Sequence, residues 1–204
     1  MKRVLVLSLI MIVAFNFSSC KSEKKSDSNK KNEVKKNYVV ASAKSEINFT
    51  AYKTSEKIPV RGQFKKVDII ANGEGNTIKE AINNVEFSIP VSSIFTKDTS
   101  RDFKIKKFFF GVMDKTKLLS GKLVIENDSI GYANIKMNGK VEKVSFSYSI
   151  LEKTFSMNAT MNLENWNAVI AINSLNLECK DLHKGADGVS KTWNEVALRI
   201  TTTF

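Results

Sequence analysis

Residues 117–163 read KLLSGKLVIENDSIGYANIKMNGKVEKVSFSYSILEKTFSMNATMNL, and their reading decides the fold. Phe146, Tyr148 and Ile150 alternate with Ser145, Ser147 and Ser149. Phe155, Met157, Ala159, Met161 and Leu163 alternate with Ser156, Asn158, Thr160 and Asn162. A period of two places apolar side chains on one face of a strand and polar ones on the other. Buried parallel strands would instead be apolar throughout. Asn127-Asp128 and Asn138-Gly139 are turn pairs. Segments 117–126, 129–138, 140–151 and 154–163 are therefore expected to form an antiparallel meander with one wet face.

The alternation continues outward in both directions. It recurs in Ile47, Phe49 and Ala51, in Val85, Phe87, Ile89 and Val91, and in Val196, Leu198 and Ile200. Further strands are expected at 38–42, 45–53, 60–70, 83–93 and 191–203, with a connection at Asn72-Gly73 and Gly75-Asn76. One-sided strands in this number satisfy their apolar faces by closing on one another or by pairing two sheets. The expected fold is all-β with two short helices, an extended antiparallel barrel of about eight strands. One helix is Thr99–Gly111, capped by Asp98 or Thr99 and ended by glycine. Its Phe103, Phe108, Phe109 and Phe110 are too many for a solvent-exposed helix. The other runs from 165 to 184 and stops at Gly185.

The first 36 residues differ from the rest. Lys2 and Arg3 precede the apolar run Val4–Phe17, which is too short to span a bilayer and fits the core of a secretory signal. The run ends in Phe17-Ser18-Ser19-Cys20, small residues before a cysteine, as in a lipoprotein signal. Residues 1–19 are expected to be the signal peptide and Cys20 the lipid attachment point. Residues 21–36, with Val34 as their one apolar side chain, are expected to form a polar tether. The folded domain is then 37–204, exported and anchored to a membrane at the periplasmic side or the cell surface.

Charge and composition exclude several function classes. The net charge of +11 falls to 23 basic against 18 acidic residues over 37–204, with only Arg61, Arg101 and Arg199 as arginines there. A nucleic-acid surface would cluster arginines with aromatics, so no nucleic-acid partner is expected. His183 is the one histidine, and Cys179 loses Cys20 as a partner if the latter is acylated. No metal site, cofactor or catalytic constellation is expected, and the chain is read as a non-enzyme. A Cys179–His183 pair on one helical face is conceivable, but no third member accompanies it.

The segment Val91-Ser92-Ser93-Ile94-Phe95-Thr96-Lys97-Asp98-Thr99-Ser100-Arg101-Asp102 resembles the centre of the YceI-like family, where a strand ending in Ser leads through Thr and Arg-Asp to a helix with paired phenylalanines. Here the pair lies within Phe108–Phe110. Phe49 followed by Arg61-Gly62-Gln63-Phe64 is similar to its early Phe with Gly-x-Phe. Trp193-Asn194-Glu195-Val196 and Leu198-Arg199-Ile200 are similar to its closing strand. The resemblance implies a lipocalin-like barrel that shelters a polyisoprenoid or quinone-like chain, with no shared catalytic set. The expected lining is Phe87, Met137, Phe146, Tyr148, Met157, Ala159 and Met161, with Phe103, Phe108 and Phe109 from the helix. For strand 140–151 the phenylalanine face is taken as inward. Methionines adapt to variable apolar guests and also fill ordinary cores. Asp102 reads as a first-turn carboxylate. Arg101 is either a bridge from helix to strand or a donor to a lipid head group at the cavity mouth. The alternative to lipid binding is an envelope interaction or stress-response module with a packed barrel. The oligomeric state stays open.

Overall fold

A computed structural model describes residues 37–204. The expected signal peptide, the Cys20 attachment point and the tether lie outside the described residues. Ten strands form one antiparallel sheet that curls into a half-barrel. Its centre is the expected meander: β8 (Leu118–Ile125), β9 (Ile130–Met137), β10 (Lys140–Leu151) and β11 (Thr154–Asn162). From β11 the sheet continues through β12 (Thr192–Thr203), β2 (Lys44–Lys53) and β3 (Ile58–Phe64) to the short edge strand β7 (Ile94–Phe95). From β8 it continues through β6 (Glu86–Pro90) to the other edge, β4 (Asp68–Ala71). A separate ribbon pairs β1 (Tyr38–Val39) with β5 (Glu74–Gly75).

The structure corrects the expected segmentation at the edges. The single strand expected at 60–70 is two strands, because the chain leaves β3 on one side of the open edge and enters β4 on the other. The strand expected at 83–93 ends at Pro90 and is followed by a 3-10 turn, Val91–Ser93, that carries the chain back to β7. The edges are thus bridged twice by the chain, and the two crossings meet where the Lys65 N–H donates to the Ser93 carbonyl at 2.9 Å. The strand expected at 38–42 keeps two residues before a 3-10 turn.

Period two is obeyed on the inner face. Val144, Phe146 and Tyr148 are buried while Ser145, Ser147 and Ser149 are exposed, so the phenylalanine face of β10 points inward. The interior forms two clusters. The first gathers Phe49, Met137, Val144 and Met161 beneath α2 (Thr99–Lys104), its continuation as a π turn (Ile105–Phe109) and 3-10 turn (Phe110–Val112), and α3 (Val169–Glu178). The second gathers Phe146, Tyr148, Phe155 and Met157 with Val40 and with Ile78, Ala81 and Ile82 of α1 (Ile78–Ile82). Ala159 packs against both clusters. α3 occupies part of the helix expected at 165–184, preceded by the 3-10 turn Leu163–Trp166. Among the described residues no helix is long and apolar enough to cross a membrane.

Candidate ligand cavity

A cavity of about 210 Å³ runs inside the curled sheet and touches both clusters. Its wall comes from alternate residues of neighbouring strands: Ile47 and Phe49 of β2, Met157, Ala159 and Met161 of β11, and Leu198 and Ile200 of β12. Ile105, Phe109 and Phe110 of the α2 continuation and Leu175 of α3 line one end. Val40 and Ile82 line the other. The few hydroxyls in the wall already have partners. Ser45 Oγ and Thr202 Oγ1 are 3.0 Å apart, and Thr192 Oγ1 donates to Asn176 Oδ1 at 2.9 Å. Such a wall offers apolar contact and shape, with few free polar groups to select a guest.

Three glycines explain why large aromatic rings leave space. On the inner face Phe49 pairs across strands with Gly62, Phe87 with Gly121, and Phe146 with Gly131. A Cβ on Gly62 would lie 2.8 Å from Phe49 Cε1, one on Gly121 2.8 Å from Phe87 Cζ, and one on Gly131 2.6 Å from Phe146 Cζ. Each ring therefore lies over its partner glycine, against the wall. This is the cross-strand arrangement by which aromatic residues cover strand glycines. It accounts for the spacing of Phe49 and Gly62 in the sequence.

The YceI-like domain model matches residues 38–204, the whole curled sheet with its helices. The chain belongs to the YceI-like family. No curated protein matches it in sequence. Among solved structures it is similar to a polyisoprenoid binding domain from Saccharophagus degradans implicated in plant cell wall breakdown. That similarity has 10% identity and a TM-score of 0.54, and covers 78% of this chain and 93% of that one. It is also similar to BcnA of Burkholderia cenocepacia, with 12% identity and a TM-score of 0.49, over 78% of this chain and 96% of that one. At these identities the likeness to the first is one of fold.

In this YceI-like domain the expected lining residues separate into three groups. Phe87, Phe109, Met137, Met157, Ala159 and Met161 line the cavity. Phe146 and Tyr148 are buried on the inward face but lie outside the cavity wall, and the Tyr148 hydroxyl donates to the Asn127 carbonyl at 2.5 Å. Arg101, Phe103 and Phe108 are not in the wall. Phe103 and Phe108 pack edge to face, with Lys107 Nζ 5.4 and 5.0 Å from their ring centres. Arg101 turns back on the loop before its own helix. Its guanidinium lies 3.5 Å from Asp98 and donates to the Thr96 carbonyl at 3.5 Å, so it does not bridge to the sheet's long strands. Asp98 is the helix cap, its side chain accepting from the Arg101 N–H at 3.0 Å. Asp102 is buried, and its carboxylate accepts from the N–H (2.8 Å) and hydroxyl (2.7 Å) of Thr96.

Alternation alone did not mark Thr192 and Trp193 as wall residues. A register shift in β12 between Thr192 and Val196 brings both to the cavity, where strict alternation would put them on opposite faces. The Trp193 indole N–H donates to the Thr54 carbonyl at 2.8 Å, and Lys191 Nζ sits 3.6 Å from its ring centre. Thr192 joins the cavity to His183. Because its hydroxyl proton goes to Asn176, its oxygen accepts from His183 Nδ1 at 2.7 Å, which fixes the Nδ1–H tautomer. Burial first, then Lys53, Lys104 and Arg101, lower the His183 pKa to about 4. Burial pushes the Cys179 thiol up, so it is held as a neutral buried thiol. His183 and Cys179 thus have separate structural roles. Among the described residues no group of three or more His, Cys, Asp or Glu side chains is placed to hold a metal ion.

Proposed function

We propose that the chain is an exported lipid-binding protein, tethered through an acylated Cys20, that holds a polyisoprenoid or quinone-like chain inside the half-barrel. The observation that carries this reading is the continuous apolar cavity reaching both core clusters. Its fold likeness to a polyisoprenoid binding domain supports it. Each Å² of apolar surface the guest buries contributes about 25 cal/mol. Met137, Met157 and Met161, spread along the wall, can change rotamer to fit the guest.

Native mass spectrometry on protein purified without detergent from a lipid-containing host tests it. A bound apolar species released by solvent extraction is the expected result. Ala159 lies at the junction of the two clusters, so Ala159→Trp fills the cavity at its middle. The folded variant is expected to lose uptake of a fluorescent polyisoprenoid, and unchanged uptake would remove this wall from the ligand path.

One observation favours a second reading. The cavity is smaller than the roughly 300–1,000 Å³ of sites for drug-sized ligands. An envelope interaction module with a packed barrel has little use for more space. A ligand-free protein whose Ala159→Trp variant is clearly less stable than the parent, as overpacking a filled interior requires, supports that reading.

A further inference from the structure

The two helical segments over the first cluster have two apolar sides. In α3, Ala168, Ala171, Ile172, Leu175 and Cys179 follow helical spacing and turn toward the interior. At ~100° per residue, Ile170 and Leu177 lie roughly 180° around the helix from that stripe. Both are 74% exposed. Leu182, beyond the end of α3, is exposed as well, and so is Phe103 of α2. A helix apolar on all sides is ordinarily enclosed on all sides. Here one side is enclosed by the protein and the other meets solvent. The two segments form one unit: the buried side of α3 packs on Phe109 and Phe110, and Lys104 Nζ lies 3.5 Å from Glu178 Oε1.

The charge around this face selects what covers it. Between Lys97 and Lys117 the chain carries seven basic against three acidic residues, and 165–184 carries two against two, so the basic charge of this face comes from its α2 side. One of the three, Asp102, is buried and engaged with Thr96. Lys107 is exposed and lies over Phe103 and Phe108, an apolar pair topped by a cation. A second copy joined through this face on a two-fold axis would bring the same basic segment against itself, which is unfavourable. Apolar side chains fringed by lysines instead match the interface of an anionic bilayer. The same segments line the cavity from within through Ile105, Phe109 and Leu175.

We infer that the α2–α3 face docks on the surface of an anionic phospholipid bilayer, so that the end of the cavity beneath it takes its guest directly from the membrane. This rests on the lipid-binding reading above for its purpose, while the docking itself is tested separately.

The experiment uses the full chain in a Cys20→Ser, Cys179→Ala background, which removes the acylation point and leaves single thiols for labelling. A polarity-sensitive fluorophore is placed at Leu177→Cys or, on the polar outer face, at Asn158→Cys. Vesicles are phosphatidylcholine alone or with roughly one-third phosphatidylglycerol. The label at position 177 is expected to shift to the blue on the anionic vesicles and the label at 158 to stay unchanged. Lys106→Glu with Lys107→Glu is expected to lower partitioning on the order of tenfold. Ile170→Ser with Leu182→Ser, which keeps position 177 for the label, is expected to abolish the insertion while leaving uptake of a fluorescent polyisoprenoid from dilute aqueous solution intact. Equal responses at 177 and 158, or partitioning indifferent to both double variants, overturns docking and assigns the face to a protein partner. Insertion at 177 in a parent chain that takes up no lipid sustains docking and removes the lipid-binding reading instead.

Discussion

Arg101 and Asp102 are neighbours in sequence with different fates in the fold. Arg101 is half exposed and bonds only to its own loop, whereas Asp102 is buried and holds both polar groups of Thr96. An unsatisfied buried donor costs about 1–3 kcal/mol. Asp102→Ala strands the Thr96 N–H, while the Thr96 hydroxyl keeps the Asp98 carbonyl at 3.3 Å, and is expected to lower stability by about 1–3 kcal/mol. The check is a drop in the urea midpoint at constant m. Arg101→Ala is expected to leave the midpoint in place. Gly62 gives a second residue-scale prediction. Alanine there meets Phe49 and Thr96 side chains, so Gly62→Ala is expected to lift the Phe49 ring off the wall into the cavity. The cost is about 1–3 kcal/mol, with weaker ligand uptake in a titration. His183 gives a third. Its folded pKa, about 4, lies below the ordinary 6.5, so below pH 6.5 the unfolded chain binds a proton that the folded chain refuses. This contribution to stability is complete above pH 6.5, falls as the pH drops toward 4 and then levels off. His183→Asn is expected to flatten that slope in thermal melts taken across the window.

At the scale of elements, the strands were the most legible. The serine-for-phenylalanine alternation of β10 and the paired turn residues around it define the strand and its two faces, because period two admits one partition of the side chains, but which face points inward is decided by the burial of Val144, Phe146 and Tyr148 in the fold. α2 was legible from Asp98 and the closing glycine, but its π turn was not. That turn sets Phe109 and Phe110 side by side in the core, ring centres 4.9 Å apart, where a regular helix would turn one of them aside. Phe109→Ala is expected to cost about 3–5 kcal/mol. It should also admit a bulkier guest, an outcome read by comparing uptake of short and long isoprenoids. α1 was missed because its five residues are too few for a periodic signal. Its start was nevertheless written in Thr77-Ile-Lys-Glu80: the Thr77 hydroxyl accepts from the Glu80 N–H at 3.1 Å, and Glu80 accepts from the Asn76 N–H at 2.8 Å. The bulge in β12 left no mark that alternation could register, so Trp193 entered the cavity unannounced.

For the whole molecule, the apolar interior was readable from composition and pattern, but its capacity was not. Capacity depends on where rings lie, and three long-range glycine contacts decide that. It also depends on how the sheet ends. A fully closed barrel has its diameter set by strand number and stagger. This sheet stops at β4 and β7, and a backbone hydrogen bond from Lys65 to Ser93 joins the two crossings of that gap. The circumference is consequently adjustable, and a guest larger than the resting void can be admitted by spreading the wall along one line without breaking strand pairing. Amide hydrogen exchange checks this: Lys65 is expected to exchange faster than the amides of β10 and β11, and a long guest to speed it further while a short one slows it.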